Sequence, residues 1–473
     1  MQLFHHSLRL TVSFLLVPVC FATLALARQT TVTGTADMIY DFRERTYDQK
    51  AADPSGKIGD KQKVGVGPEI SVVSQGISDT FSLLYAPLLN YDFVTDTSGV
   101  DHKLNLKGER NLSQYWTFTV TDDYIRSDDP SLSSTSSSST YASSVNGQSP
   151  AIPGNELSRD LSGQKYWTNT ASAQTAYSLA ENSRVSGGYS YSVLRNDQGG
   201  TGYQDFDKHA FNSNYSHGFN QNWRSSLGLD YTRGLYDHAN GTAGAGASAG
   251  SPDLDEYGLK IGVDYVRSVN DIFPLKYSLT DTQYDGDTRP GSEVHQWYAG
   301  WDHSFDARTR LALGGGPSYA KTQGFDGTWG YNANLTFTKK YEHASYALIF
   351  DKQYETQNFT GTDASGVTDT YNARANFTYQ YTQSLGFDLF GLYSWQSIMN
   401  PQGQYSTAVS AGSTTYDKNI YEAGTGFSYS FAQWYKAGIK YVYYVSDGKL
   451  DSDQYTDHQI LFTLAATKEI WRW

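Results

Sequence analysis

Polar and apolar side chains alternate with a period of two along most of this chain. The segments 331–338 (YNANLTFT) and 373–381 (ARANFTYQY) show the pattern clearly. Alternate side chains of a β-strand point to opposite faces. The interleaved polar positions are too numerous for a dry core. We therefore predict that one face meets lipid and the other water, as in a transmembrane β-barrel.

Twenty such segments occur between residues 32 and 472, and the connections between them alternate between short and long. This alternation is typical of membrane barrels, which have an even number of strands, short periplasmic turns and longer outer loops. A soluble β-sandwich array, the alternative, would not produce it. The predicted fold class is all-β: a transmembrane antiparallel up-and-down β-barrel of about 20 strands, with short periplasmic turns and long outer loops.

The N-terminal segment has the features of a secretory signal peptide. Arg9 precedes an apolar run over 10–24, and ALA at 25–27 gives a small-x-small cleavage site. We predict a signal peptide over 1–27 and a barrel over 28–473, located after cleavage in the cell outer membrane of a Gram-negative bacterium. The only cysteine, Cys20, lies in the predicted signal. The barrel should therefore bind no metal through thiolate and carry no covalent haem.

Composition and motifs argue against several functions. The net charge of −13 disfavours nucleic acid as a partner. The sequence shows no GxSxG, HExxH or phosphate-loop motif, and no ligand spacing among its ten histidines. The acidic pairs 122–123 and 128–129 could bind Ca²⁺ weakly, or could be ordinary exposed acids. We predict no enzyme activity, no catalytic residues, no cofactor and no metal site. A Ser–His pair on the outer wall is conceivable, but no serine is singled out as a partner.

The water-facing positions of the strands carry charges of both signs. A barrel of about 20 strands is too wide for side chains to fill, so its lumen must hold water, an inward loop or another molecule. The charges could create a field across a pore or pair across neighbouring strands. The aromatic residues Tyr298, Phe390 and Tyr444 are weaker candidates for sugar stacking. The predicted lumen-lining residues are Lys103, Lys107, Glu109, Arg224, Asp230, Lys260, Asp264, Lys276, Arg310, Asp351, Arg374, Asp388, Glu422, Lys436 and Lys440.

Two long segments have the composition of loops. Residues 128–163 are rich in serine and either fold inward to narrow the lumen or form a mobile exterior loop. Residues 238–252 contain GTAGAGASAG, a flexible composition. No plug-sized segment precedes the first predicted strand, so we do not expect a gated siderophore-type receptor.

Part of the sequence resembles a known group of barrels. Pro68-Glu69-Ile70, Tyr85 with Pro87 and Tyr91, His102, and Asp123 with Asp129-Pro130 follow a strand cadence over about 70 residues. This cadence resembles bacterial outer-membrane barrels associated with exopolysaccharide or exosortase systems, and it implies a polysaccharide-linked role. The C-terminal EIWRW is similar to the signal recognised by the barrel assembly machinery, although phenylalanine is commoner there than tryptophan.

These features predict a porin-like outer-membrane channel for solutes or an exported polysaccharide. The expected partners are outer-membrane lipid, the barrel assembly machinery during biogenesis, and either a polysaccharide or a periplasmic protein. One alternative is a scaffold that sheathes a periplasmic partner such as a multihaem cytochrome, forming an electron conduit. Another is a surface adhesion or receptor barrel that acts through its loops.

Overall fold

The described part of the chain forms an antiparallel sheet of twenty strands. The computed structural model describes residues 28–48, 59–128, 165–197, 204–236, 252–286, 289–359, 366–400 and 415–473. A 3₁₀ turn, Asp451–Asp453, precedes the last strand. The strands are β1 Gln29–Tyr47, β2 Lys61–Gln75, β3 Asp79–Asp92, β4 Thr97–Ser113, β5 Trp116–Ser127, β6 Tyr166–Ala180, β7 Ser183–Asn196, β8 Phe206–Gly218, β9 Trp223–Tyr236, β10 Leu254–Val266, β11 Asp271–Tyr284, β12 Ser292–Asp306, β13 Thr309–Thr322, β14 Thr328–Lys340, β15 Ala344–Thr356, β16 Val367–Gln380, β17 Leu385–Met399, β18 Thr415–Phe431, β19 Tyr435–Gly448 and β20 Tyr455–Arg472.

The sheet closes on itself. Each strand pairs with its neighbours in sequence, and β1 pairs with both β2 and β20. The closing ladder runs from Thr31–Arg472 to Tyr47–Tyr455. Two backbone hydrogen bonds of 2.8 and 3.0 Å between Thr30 and Trp473 extend it to the last residue. Closure gives each of the twenty described strands a hydrogen-bonded neighbour on both sides, as a bilayer requires. The predicted up-and-down barrel is confirmed.

The two ends of the barrel differ in their connections. At one end, here called the turn end, the connections have two to four residues; at the other, the loop end, most are longer. The connection 93–96 between β3 and β4 is an exception at the loop end, so the predicted alternation of short and long is not strict there. The Asp92 side chain accepts a hydrogen bond from the Val94 backbone at 2.9 Å, and Asp96 has a φ of 54°. A tight turn therefore replaces a loop at this position.

Strand register sorts the side chains onto an inner and an outer face. Residues directly opposite each other in antiparallel strands point to the same side. The ring of Phe359, which follows β15, lies 5.5 Å from Phe206 on β8 and 6.0 Å from Tyr236 on β9. This contact crosses the interior, so the face that carries Phe206 and Tyr236 is the inner one.

The outer face is a band of exposed apolar and aromatic side chains. Leu89, Leu275 and Phe211 are 62, 61 and 50% exposed, and similar residues surround the barrel. Apolar exposure on this scale requires lipid rather than water. The band therefore spans a membrane.

Three predicted segments lie outside the described residues. They are the signal peptide over 1–27, the serine-rich segment 128–163 apart from Asp128, and the segment 238–252 apart from Pro252. No helix in the described part of the chain is long and apolar enough to cross a membrane.

Pro68, Tyr85, Pro87 and His102 of the sequence resemblance lie on the wall formed by β2, β3 and β4; Asp123 is on β5, and Asp129 and Pro130 lie outside the described residues. The β2–β3 register is interrupted between Val66–Leu89 and Ile70–Tyr85, where Pro68 and Pro87 lack the N–H that a ladder needs. Gly67 allows the close approach, because a Cβ there would lie 2.0 Å from the carbonyl oxygen of Pro87. The Tyr85 hydroxyl lies 3.0 Å from Nδ1 of His102 on β4.

Candidate functional site

The barrel wall opens between β14 and β15 near the loop end. These two strands pair from Lys340–Ser345 up to Ala333–Lys352 and no further. Above that level β14 continues to pair with β13, and β15 continues to pair with β16. The ends of the two strands therefore separate while each keeps its other neighbour.

Above this separation, β15 turns into the lumen. By register Tyr354 belongs to the outer face, yet it is 4% exposed and packs in one cluster with Val294 and Ala320 on the inner faces of β12 and β13. The Gln296 side chain on β12 donates a hydrogen bond of 2.7 Å to the Tyr354 carbonyl. The end of β15 thus lies inside the wall formed by β12 to β14. Val367 at the start of β16 and Met399 at the end of β17 pack in the same cluster.

The chain after β15 continues across the lumen to β9, β10 and β11. Thr356 Oγ1 and Asn358 Nδ2 donate to Glu256 Oε2 on β10 at 3.0 and 3.1 Å. The Tyr284 hydroxyl on β11 donates to Asn358 Oδ1 at 2.6 Å, and the Tyr236 hydroxyl donates to the Asn358 carbonyl. Four strands separate β10 from β15 along the wall, so these bonds join distant parts of the barrel. We call residues 353–359 the infolded segment.

Phe359 anchors the infolded segment in an apolar pocket on the inner face. A cluster with Phe206, Tyr236 and Leu254 at its centre receives the ring, and Leu254 is fully buried. Gly234 makes the approach possible, because a Cβ there would lie 2.7 Å from Phe359 Cε1. The Lys208 ammonium lies 4.3 Å from the ring centroid, a cation–π distance. Burying an aromatic side chain in this way contributes about 1.5–3 kcal/mol.

Lys352 fills the opening that the infolded segment leaves in the wall. Its ammonium lies 4.7, 4.4 and 5.4 Å from the ring centroids of Tyr331, Tyr354 and Tyr371 and 2.8 Å from a carboxylate oxygen of Asp369. The side chain is 1% exposed. A buried charge needs a partner of this kind, since an unpaired one would be costly. The cation and its aromatic neighbours thus close the wall where backbone pairing stops.

A second dense polar region lies on the inner face of β1 to β4 and β20, at the loop end. Arg45 forms two hydrogen bonds of 2.7 Å to Asp457, and its side chain is fully buried. Lys63 contacts Asp101 at 3.1 Å and Asp128 at 2.6 Å. Of these residues, only Asp128 was singled out from the sequence, as part of an acidic pair. The signal for Arg45 was present, because Asp41, Arg43 and Arg45 alternate with Tyr40 and Phe42 in β1.

Strand register places all fifteen predicted lumen-lining residues on the inner face, spread over β4 to β19 without converging on one site. Lys260 on β10 pairs with Asp230 on β9 at 2.8 Å, and Lys107 lies 3.8 Å from Glu109 on the same strand. Arg310 forms an ion pair with Asp302. Their role as the lining of a pore remains a prediction.

The three inner aromatic residues proposed for sugar stacking pack on the wall. Tyr298 covers Gly314, where a Cβ would lie 2.5 Å from the ring, and Lys276 lies 5.8 Å from its centroid. Phe390 covers Gly424 in the same way, with the Lys440 ammonium 4.8 Å from its centroid. The ring of Tyr444 stacks on another tyrosine at 5.7 Å. Each ring thus fills space beside its neighbours on the strands.

A Ser–His contact on the outer wall does not form a complete catalytic arrangement. The Ser183 hydroxyl lies 2.7 Å from Nδ1 of His217 at the turn end. Within the described residues no third group hydrogen-bonds the opposite ring nitrogen, as a nucleophile–base pair would need. The described ranges also contain no group of three or more His, Cys, Asp or Glu residues able to hold a metal ion.

Comparison with solved structures agrees with the fold. A mutant of the ferric enterobactin receptor from Pseudomonas aeruginosa in complex with enterobactin has 8% sequence identity and a TM-score of 0.51. Another structure of the ferric enterobactin receptor has 9% identity and a TM-score of 0.51; each match covers 93% of this chain and 81% of the receptor chain. At this identity the likeness shows a shared barrel fold alone. No protein-family model matches the sequence, and no curated protein sequence matches it.

Proposed function

We propose that this protein is a porin-like channel in the outer membrane of a Gram-negative bacterium, through which small polar solutes diffuse. The observation that carries the proposal is the infolded segment, which crosses the lumen from β15 to Glu256 on β10 and narrows it at the loop end. In the proposed orientation the turn end faces the periplasm and the loop end faces outward.

The inner face supports a water-filled lumen. Exposed ionic groups, such as the 68% exposed side chain of Lys260 beside Asp230, would be unfavourable in a dry interior. A barrel with this many strands is also too wide for its own side chains to fill below the infolded segment. Solutes would therefore pass through a hydrated space lined by both signs of charge.

The infolded segment favours small solutes over a polymer or a lumen-filling partner. A polysaccharide, or a periplasmic protein seated through the whole barrel, would have to displace Phe359 and Asn358 from their pocket. Exported polysaccharide is the second candidate cargo, because the residues that resemble barrels of exopolysaccharide systems form one local structure around Tyr85 and His102.

Single-channel recording in planar bilayers tests the proposal. The refolded wild-type barrel should give stable open steps, and vesicles containing it should admit small sugars and exclude polysaccharide. A folded barrel that never conducts would overturn the channel proposal. Recovery of a stoichiometric protein partner with such a barrel would instead support the scaffold.

A crosslinked variant separates small-solute passage from polymer passage. Replacing Glu256 and Thr356 with cysteine allows a short bis-maleimide, which adds one cysteine thiolate to each of its alkenes, to fix the infolded segment in place. Small-solute conductance should persist after crosslinking, because solutes pass beside the segment. The matched controls are the two single-cysteine variants treated with the same reagent. Polymer passage that stops only in the crosslinked double variant would favour the polysaccharide role.

A further inference from the structure

The outer face carries the same Tyr–His hydrogen bond in four different hairpins. In each, the tyrosine is the seventh residue of a strand that runs from the turn end to the loop end. The histidine is on the next strand, directly opposite the residue that follows the tyrosine by two positions. We call the set the Tyr–His ring. Its distances from the tyrosine oxygen to histidine Nδ1 are 3.0 Å for Tyr85–His102, 2.8 Å for Tyr189–His209, 2.9 Å for Tyr277–His295 and 2.9 Å for Tyr441–His458.

The Tyr–His ring lies toward the loop end of the apolar band, which on β3 continues past it to Leu89. The shared register places the histidines about eight residues from the turn end, or about 20 Å along the barrel axis for tilted strands. The apolar band of such barrels is about 25 Å tall. The ring therefore lies near the lipid headgroups at the loop end. At the turn end, the outer-face histidines His217 and His303 bond Ser183 and Asp271 instead.

The hydrogen bond to tyrosine leaves the other ring nitrogen for a partner outside the protein. When the tyrosine hydroxyl donates to Nδ1, the proton of a neutral imidazole is on Nε2, which can then donate a hydrogen bond. A protonated imidazole presents the same Nε2–H. The partner expected at this level is an anionic oxygen of a lipid headgroup.

The four positions of the Tyr–His ring differ in the charged residues beside the histidine. Arg126 lies directly opposite His102, and Arg233 lies directly opposite His209. Arg126 gives one nitrogen to Asp197 at 2.7 Å, which leaves further donors. Arg233 binds Asp255 and Asp285 at 2.7 and 2.6 Å and also lies 3.7 Å from Asp253.

The other two histidines have a carboxylate beside them. Glu293 Oε2 lies 3.9 Å from Nε2 of His295, and Lys321 lies opposite Glu293. Glu44 lies directly opposite His458. These two positions, and His209 with the three carboxylates around Arg233, repeat the Tyr–His bond in settings that are less favourable to an anion.

We propose that His102 with Arg126 binds a phosphate group of the lipid leaflet at the loop end. The site combines an Nε2–H donor with a guanidinium, the pair that phosphate oxygens accept most strongly. The inference rests on the membrane placement in the proposed function and does not depend on channel activity. It assigns the other three histidines no phosphate.

Retention of a phosphorylated lipid tests the assignment. The variants H102Q and H209Q are refolded into phosphatidylcholine vesicles containing diphosphoryl lipid A. Lipid A retained after detergent extraction is counted by native mass spectrometry. H102Q should lose about tenfold in apparent affinity, because a charge-assisted hydrogen bond is lost. H209Q, the matched control, should bind like the wild type.

Three results would overturn the assignment: no retention by the wild type, equal losses in both variants, or displacement of lipid A by an equal concentration of inorganic phosphate. The last would identify a site for free phosphate. Heat-modified mobility on gels verifies that each variant is folded. Conductance is recorded on the same samples. The expected difference in lipid A retention does not require a conducting barrel, so failure of the channel proposal would not by itself refute this assignment.

Discussion

Replacing Phe359 with alanine should release the infolded segment. Large-to-small substitutions of a buried phenylalanine cost about 3–5 kcal/mol, and the lower end applies here because the ring is only partly buried. A loss of about 3 kcal/mol shifts the equilibrium between docked and released segment by roughly a hundredfold. In the docked state of the variant, the hydrogen bonds of Thr356 and Asn358 to Glu256 would still hold the segment, and each is worth about 1 kcal/mol.

Single-channel recording measures this release directly. The wild-type channel should stay at one narrow conductance level, and the Phe359→Ala channel should visit a wider level. Gly234→Leu should have the same effect by a different route, because the position has room for no side chain beside Phe359 Cε1. Phe305→Ala is the control, since Phe305 is 55% exposed on the outer face near the turn end.

The reasoning is refuted if both pocket variants are folded and conduct at the wild-type level without wider openings. That result would mean that Phe359 does not hold the infolded segment, or that the segment does not limit the pore. A wider level in Phe305→Ala as well would point to a general loosening of the barrel.

Two further predictions concern ionic groups. Lys352→Met should destabilise the barrel by about 3–5 kcal/mol, because it leaves Asp369 unpaired at a buried site, and adding Asp369→Asn should restore most of the loss. Urea unfolding followed by tryptophan fluorescence measures both changes. Lys260→Met is the exposed control and should change stability by about 1 kcal/mol or less. In the β11–β12 connection the hydrogen bond from Arg233 lowers the pKa of Asp285. The pair therefore stabilises the folded state fully above the ordinary carboxyl pKa of about 4, and this stabilisation is lost as the pH falls through the lowered pKa. The folded fraction measured by gel mobility between about pH 3 and pH 6 should depend less on pH in Asp285→Asn, and an unchanged profile would exclude a contribution from the pair.

The strand architecture could be predicted from the sequence because it depends on a local property. Side chains two positions apart point to the same face whatever the rest of the chain does. The alternation therefore predicted twenty strands and the face on which Lys103, Asp230 or Lys440 would lie. It also placed Arg45 and Asp457 on the inner face, but their pairing depends on closure of β1 onto β20 and is not encoded locally.

The candidate site depends on contacts that no local pattern encodes. Sequence parity alone assigns Lys352 and Tyr354 to the outer face, and only the departure of β15 from β14 buries them. Thr356 and Glu256 are 100 positions apart and meet because the curved wall of a closed barrel lets the chain after β15 reach β10 through the lumen. The sequence by itself determined the wall and its two faces, since the period of a strand is local. The tertiary structure alone decided where the wall opens and what crosses the lumen, because that depends on packing between strands distant in the chain.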